Sequence, residues 1–244
     1  MNRRSIKCKI DNFVDLKKDE KQLQVFMPFA DRYKKLCLQF DGVLDDETWE
    51  KSKLKILFLL KDSYRPVNEN GEVKNKNRFS TYVFDLQNKK ACEINDTTWK
   101  KVLEWANTIS VKFGCGEIKS LKNVAFMNIN KLAFSEADGY ETQKKDLAIA
   151  VRDDKDLLKS QFKNISPNII VCGNTGKYLF RFLDVLMPEP IYSAKNKNRN
   201  SLNVYVLEED GKRTFVFDVY HPSYRATTTS EELEIAIEKI KEFI

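Results

Sequence analysis

Polar side chains that can do acid–base or hydrogen-bonding chemistry recur where short apolar runs of the chain end. They are Asp62, Ser63 and Tyr64; Asn128 and Asn130; Asn174 and Thr175; and His221 with Ser223. Together they supply an acid, amides, hydroxyls and the only histidine of the chain. Parallel sheets bind ligands beside the carboxyl ends of their strands. The pattern therefore predicts a binding or catalytic site at that edge of a sheet, but it does not name a reaction.

The elements that must hold these side chains alternate between strand and helix. Dense apolar runs predict strands at residues 53–60, 124–127, 169–172, 202–207 and 214–219, with the last two joined as a hairpin. Helical spacing of apolar residues predicts helices at residues 99–113, 141–164, 178–186 and 229–243. This alternation is typical of an α/β fold. We expect a three-layer α/β/α arrangement around a central, mostly parallel four-stranded sheet.

The whole chain of 244 residues is predicted to form a single domain, residues 1–244. Residues 1–50 carry apolar side chains at spacings of three, four or seven and predict extra N-terminal helices. Residues 67–96 are polar and irregular, with a turn signal at Asn70-Gly71. Because long structureless stretches are uncommon in pure scaffolds, we interpret residues 67–96 as a functional loop insertion.

Composition narrows the class of protein. Lys and Arg number 42 against 36 Asp and Glu, and the net charge of +6 is a mild bias toward a polyanionic partner. No apolar run approaches the roughly 20 residues of a membrane span, and no apolar signal core follows the basic N-terminus, so we expect no membrane and a cytoplasmic location. The five cysteines are scattered without metal-finger spacing, which predicts thiols rather than a metal site.

Three segments, in order along the chain, resemble the motifs of the uracil-DNA glycosylase superfamily. Residues 56–65, ILFLLKDSYR, are similar to the family's strand that runs into Gly-Gln-Asp-Pro-Tyr-His, with Asp62 and Tyr64 at the same spacing. Residues 124–128, VAFMN, are similar to the strand that ends in a base-reading asparagine, and residues 219–223, VYHPS, are similar to the strand before His-Pro-Ser. The likeness spans residues 53–225.

The resemblance implies two catalytic residues. Hydrolysis of a base from its deoxyribose passes through an oxocarbenium-like sugar. Asp62 would stabilise that cation and orient or deprotonate the attacking water, and His221 would donate a hydrogen bond to the departing base anion. Judged by residue type alone, Asp62 is also a candidate helix or turn cap and His221 a candidate structural histidine.

The resemblance also implies how a flipped base would be bound. Asn128 offers a donor and an acceptor that match uracil N3–H and O4, and Tyr64 stands where the 5-methyl group of thymine would collide. Ser63 lies beside Tyr64 and is placed with it at the substrate. A flipped base needs an aromatic platform, for which Phe79 is the first candidate and Phe84 the second. Plain packing roles remain open for these side chains.

Further residues are predicted to contact DNA. Ser223 would present its hydroxyl or amide to a phosphate, and Tyr224, Arg225 and Arg65 would contact the backbone or wedge into the emptied stack. The pentapeptide KNKNR occurs at residues 74–78 and again at 195–199, in predicted loops, where it would contact phosphates or simply be solvated.

The leading hypothesis is therefore a glycosylase without metal or cofactor that acts as a monomer on single- or double-stranded DNA containing uracil or a related deaminated base. The runner-up is an inactive relative that binds nucleic acid or a nucleotide, because Leu60-Lys61 replaces the family's Gly-Gln and Ser63 replaces its proline. A third reading is an unrelated enzyme of phosphorylated metabolites. Against it, residues 173–176, GNTG, lack the spacing of phosphate-binding and dinucleotide-binding loops.

Overall fold

The computed structural model describes residue 25 and residues 41–61, 63–64, 94, 96–131, 133–134, 147–195, 201–209, 211–224 and 229–243. For residues 63–64, 133–134, 195 and 201 it describes the backbone alone. Among the described residues, no helix combines the length and the apolar character that crossing a bilayer requires.

The strands within the described residues are β1 (Ile56–Leu60), β2 (Ser63–Tyr64), β3 (Val124–Asn128), β4 (Ala133–Phe134), β5 (Ile169–Gly173), β6 (Tyr192–Lys195), β7 (Ser201–Glu209) and β8 (Lys212–Val219). The helices with both ends described are α1 (Asp46–Lys51), α2 (Thr97–Lys112), α3 (Lys155–Ile165), α4 (Gly176–Leu183) and α5 (Ser230–Ile240). Residues 147–153 are also helical.

The central sheet has six strands in the order β3-β1-β5-β8-β7-β6. The first four are parallel to one another, and β7 and β6 extend the sheet as antiparallel strands. The mostly parallel sheet and the β7–β8 hairpin are confirmed. The expected count of four strands is wrong, because the sheet has two further members. β7, predicted as one strand of the hairpin, pairs with β8 inside the sheet, and β6, with the polar sequence YSAK, pairs with β7 as an edge strand without an apolar pattern that would reveal it.

Helices cover both faces of this sheet, so the three-layer arrangement is confirmed. Every residue of β1, β3 and β5 is buried, as expected for strands covered on both sides. Alternate residues of these strands pack into two separate cores. One core, on what we call the front face, includes α2 and α5. The other core, on the back face, includes residues 147–151, α3 and α4.

Local signals explain several helix ends. The side chain of Asp96 accepts hydrogen bonds from the backbone of Thr98 and Trp99 and begins α2, and a Thr229–Glu232 capping box begins α5. Two expectations are wrong. The helix predicted at 141–164 is interrupted by a bend at Asp154, and α4 ends at Leu183, which leaves Leu186 92% exposed.

Residues 41–45 are not part of an N-terminal helix, because Val43 is an isolated bridge residue between two bends. Val43 forms an antiparallel bridge with Ala125, and the backbone N–H of Phe126 donates to the carbonyl of Gly42 at 2.8 Å. This segment therefore covers the outer edge of β3. Its partner lies in a strand far along the chain, and helical periodicity carries no information about such a contact.

The carboxyl ends of β3, β1, β5 and β8 lie at one edge of the sheet, because these four strands are parallel. The segments that follow β1 and β3 stay paired beyond that edge. The backbone N–H of Ile129 donates to Leu60 O at 3.0 Å, and that of Asn130 donates to Lys61 O at 2.9 Å. The short strands β2 and β4 then pair in parallel. Two of the predicted strand-end segments therefore run side by side.

Candidate functional site

Asn128 and His221 lie on the same face of the sheet at its carboxyl edge. Strand register places Asn128 beside Leu60 and Gly173 beside Val219, and Leu60 and Val219 both point into the front core. A methyl group built on Gly173 would lie 3.1 Å from Cδ2 of His221 and 3.1 Å from Cδ2 of Leu60. The His221 ring therefore leans over Gly173. Leu60 and Gly173 form a short floor with Asn128 at one side and His221 at the other.

Asn128 is 1% exposed, and its side-chain Oδ1 has no hydrogen-bond partner among the described residues. A buried polar atom without a partner costs free energy, and most such atoms in folded proteins are satisfied. The carboxamide is thus held at the edge of the sheet with an acceptor that has no partner among the described residues.

Ser223 holds the His221 ring in one tautomer. The backbone N–H of Ser223 donates to His221 Nδ1 at 3.2 Å, and Ser223 Oγ lies 2.7 Å from the same nitrogen. Because a backbone N–H can only donate, Nδ1 is an acceptor without a proton, and the serine hydroxyl donates to it as well. The neutral ring then carries its proton on Nε2, where it is a hydrogen-bond donor.

Burial keeps this imidazole neutral. Desolvation lowers the pKa of His221 to about 4, and the positive charge of Lys61 contributes in the same direction. At pH 7 the ring is therefore a neutral donor rather than a cation. Gly173 allows this close approach, because a methyl group there would lie 3.1 Å from Cδ2 of the ring, which would have to shift by a few tenths of an ångström.

β8 carries a largely buried carboxylate, that of Asp218, on the back face and beside the start of α4. Asp218 Oδ1 accepts a hydrogen bond from the backbone N–H of Gly176 at 3.1 Å, at the first residue of α4. Burial raises the pKa of Asp218 to about 6, against the opposing effect of hydrogen bonds from the Gly176 and Thr175 backbone and of nearby lysines. Asp218 thus caps a helix, and its charge faces away from Asn128 and His221.

A second buried charge cluster lies at the outer edge of β3. Asp41 accepts from the backbone N–H of Asn128 at 2.5 Å, from Lys131 Nζ at 2.7 Å and from Gln161 Nε2 at 2.6 Å. Burial lowers the pKa of Lys131, and the Asp41 carboxylate opposes that effect. The ion pair therefore holds the end of the strand that carries Asn128.

The structure describes some of the predicted site residues and not others. Asp62, Arg65, Phe79 and Arg225 lie outside the described residues, as do Phe84 and all of both KNKNR copies except the backbone of Lys195. For Ser63 and Tyr64 only the backbone in β2 is described. Their predicted roles stay predictions.

Ser223 and Tyr224 are described and lie beside His221. The Ser223 hydroxyl is engaged by the imidazole, and the ring of Tyr224 is 49% exposed and packs edge-on against Tyr220 at 5.7 Å. The wedge or phosphate role of Tyr224 stays a prediction.

Sequence reasoning missed Asp41, Lys131, Gln161 and Asp218 as contributors to this edge of the sheet. Asp41 fell in a segment predicted to be helical, and its partners are 87 to 120 residues away along the chain. Only Gly173 had a usable signal, a glycine at the very end of an apolar run. Among the described residues, no group of three or more His, Cys, Asp or Glu side chains is arranged to hold a metal ion.

No protein-family model matches the sequence, and no curated protein matches it either.

Proposed function

We propose that the protein is a DNA glycosylase that hydrolyses the N-glycosidic bond of uracil or a related deaminated base. The observation that carries the proposal is the pair of groups facing one floor: a neutral imidazole that donates from Nε2, and a buried carboxamide whose Oδ1 has no partner among the described residues. The motif resemblance supplies the reaction that would use this pair.

The separation of the two groups suits a planar heterocycle. Asn128, Leu60 and Gly173 lie in register on adjacent strands, so Asn128 and the glycine beneath His221 are two strand spacings apart, roughly 10 Å. A pyrimidine lying over Leu60 and Gly173 would reach both polar groups at its edge. The absence of a side chain on Gly173 leaves room for the imidazole beside the base.

In the proposed reaction, water attacks C1′ of the sugar as the bond from C1′ to the base nitrogen breaks. The electron pair of that bond passes to the base, and the proton of the attacking water passes to a carboxylate and then to solvent. Asp62 would be that carboxylate, as its motif implies. His221 Nε2–H would stabilise the base anion in a site prepared for it, and solvent would then protonate the base.

Lys61 strengthens this reading electrostatically. Its positive charge lies close enough to His221 to lower the imidazole pKa. The same charge would stabilise negative charge that develops on a base beside the ring. Lysine in place of the family's glutamine thus fits an anionic leaving group.

Oligonucleotides with one uracil, single- and double-stranded, followed by alkaline cleavage of abasic sites, test the proposal. We expect the wild type to release the base, and Asp62→Asn and His221→Ala to lose that activity. Glu208→Gln is the matched control, because it removes an exposed carboxylate that pairs with Arg213, near the start of β8 and away from the carboxyl edge. Salt-sensitive DNA binding without release in the wild type would instead favour the inactive relative.

A further inference from the structure

At the outer edge of β3, the last backbone N–H of the strand donates to a side chain instead of to a backbone carbonyl. β3 is an edge strand of the six-stranded sheet, and residues 41–43 cover it. The N–H of Phe126 donates to a backbone carbonyl, that of Gly42, whereas the N–H of Asn128 donates to the side-chain carboxylate of Asp41. The last hydrogen bond of the edge, at the residue that would read the base, is therefore charge-assisted, which makes it shorter and stronger than a bond between neutral groups.

The carboxylate itself is held from two sides. Lys131 Nζ and Gln161 Nε2 both donate to Asp41 Oδ1, and Gln161 Nε2 also lies 2.8 Å from the backbone carbonyl of Asp41. The side chains of Lys131 and Asp41 are 0% and 3% exposed. Burying both charges carries a desolvation penalty, and apolar residues of similar volume often stabilise a fold as well or better. Stability alone is therefore a weak explanation for the ion pair.

We infer that Asp41, held by Lys131 and Gln161, is a positioning residue that orients the Asn128 peptide and so places its carboxamide against the base. This inference rests on the proposed function. The orientation of the Asn128 backbone sets the direction in which its side chain extends. Within the described residues, Oδ1 has no partner that would fix the side chain independently. A small displacement of a group that contacts the reacting base is enough to slow catalysis greatly.

Three variants separate positioning from stability. Asp41→Ala removes the acceptor of the Asn128 N–H and the carboxylate that pairs with the buried Lys131 ammonium, so both the melting temperature and kcat should fall. The double variant Asp41→Ala, Lys131→Met also removes the buried cation, and its melting temperature should lie above that of Asp41→Ala. Asp45→Asn is the control, because Asp45 also accepts a backbone N–H, from Thr48, but it caps α1 and does not touch Asn128.

The decisive readout is kcat of the double variant for uracil-containing DNA, with KM measured separately. We expect kcat to stay reduced by about tenfold or more while KM is unchanged, because an N–H without an acceptor no longer orients Asn128. Asp45→Asn should keep the wild-type kcat. If kcat of the double variant recovers together with its melting temperature, Asp41 has only a structural role and the inference is overturned.

A measurement without turnover keeps this inference distinct from the proposed function. In ¹⁵N–¹H spectra, the Asn128 backbone amide proton should lie far downfield in the wild type and move upfield in the double variant, and the side-chain amide signals of Asn128 should shift with it. Wild-type protein that releases no base overturns the proposed function, while these spectra still decide whether Asp41 orients Asn128. Unchanged Asn128 side-chain signals overturn the inference.

Discussion

The two faces of the sheet carry different polar groups where the parallel strands end. On the front face, Asn128 and His221 are uncharged, Asn128 Oδ1 has no partner among the described residues, and the imidazole accepts hydrogen bonds at Nδ1. On the back face and at the outer edge, Asp218 and Asp41 are carboxylates with several donors each. These two carboxylates hold backbone in place, whereas the two neutral groups are the ones that the proposed reaction assigns to the base.

The difference has a physical reason. A buried charge must be paired or hydrogen-bonded, so leaving one without a partner until a substrate binds is costly. A neutral amide or imidazole costs less when its partner is absent. In the proposed reaction, the two groups that would contact the uncharged base, Asn128 and His221, are therefore neutral.

The largest expected effect comes from removing a neutral group on the front face. Asn128→Ala deletes both hydrogen bonds to the base and should lower kcat/KM for uracil release by about 100-fold, as two bonds of about 1–3 kcal/mol allow. Steady-state kinetics and a thermal melt measure it. A variant that keeps wild-type kcat/KM would show that the front face does not read the base.

The next effect is on stability and belongs to the back face. A methyl group at position 176 would lie 2.7 Å from Cγ and Oδ2 of Asp218, so Gly176→Ala must displace the cap of α4 and should cost about 1–3 kcal/mol of unfolding free energy. Gly173→Ala is the matched variant, three residues earlier at the end of β5. Its methyl group would lie 3.1 Å from the nearest atoms, which belong to the side chains of Leu60 and His221, so urea unfolding should show a smaller loss. Equal losses would contradict the contrast.

A smaller effect concerns the pH dependence of stability. Asp218 has a folded pKa of about 6 against an ordinary value of 3.8, so between pH 4 and 6 the folded state binds more protons at this site and its stability falls as pH rises. His221 has a folded pKa of about 4 against 6.5, so between pH 4 and 6.5 the unfolded state binds more protons and stability falls as pH drops. The two groups oppose each other.

Asp218→Asn removes one side of that balance. The unfolding free energy of the variant should therefore fall more steeply on acidification from pH 6.5 to 4.5 than that of the wild type, by up to about 1.4 kcal/mol per pH unit. Urea titrations across this range measure the slopes. Identical slopes in both proteins would mean that the carboxylate is not perturbed by burial.

The smallest effect is a chemical shift. His221 is the only histidine, so protein without a histidine tag gives a single imidazole titration by NMR. Its midpoint should lie near pH 4, with Nδ1 unprotonated above it, and Ser223→Ala should raise the midpoint only slightly because burial is the main cause. A midpoint near 6.5 would place the ring in water and remove the neutral donor from the front face.

Much of the sheet could be predicted because its signals are local. β1, β3 and β5 are continuous apolar runs, and strands buried on both faces require such runs. The start of α2 at Asp96 and the capping box of α5 depend on side chains within three residues. By contrast, β6 has no apolar pattern of its own, and the conformation of residues 41–45 depends on a bridge from Val43 to Ala125, 82 positions along the chain, that no local pattern encodes.

Part of the site was predictable for the same reason. Asn128 and His221 follow apolar strands, and their chemical types stand in the sequence. The contact between Asp41 and Asn128 could not be predicted, because the two residues are 87 positions apart along the chain.

The amino-acid sequence by itself determined which chemical groups follow each strand, that the sheet is mostly parallel, and that β1, β3 and β5 are buried. Only the tertiary structure decided that Asn128 and His221 share a face, that Asp218 and Asp41 do not join them, and which nitrogen of the imidazole carries the proton. Strand order, burial and partners remote along the chain set those outcomes, since pKa values and hydrogen bonds depend on distances in space rather than in sequence.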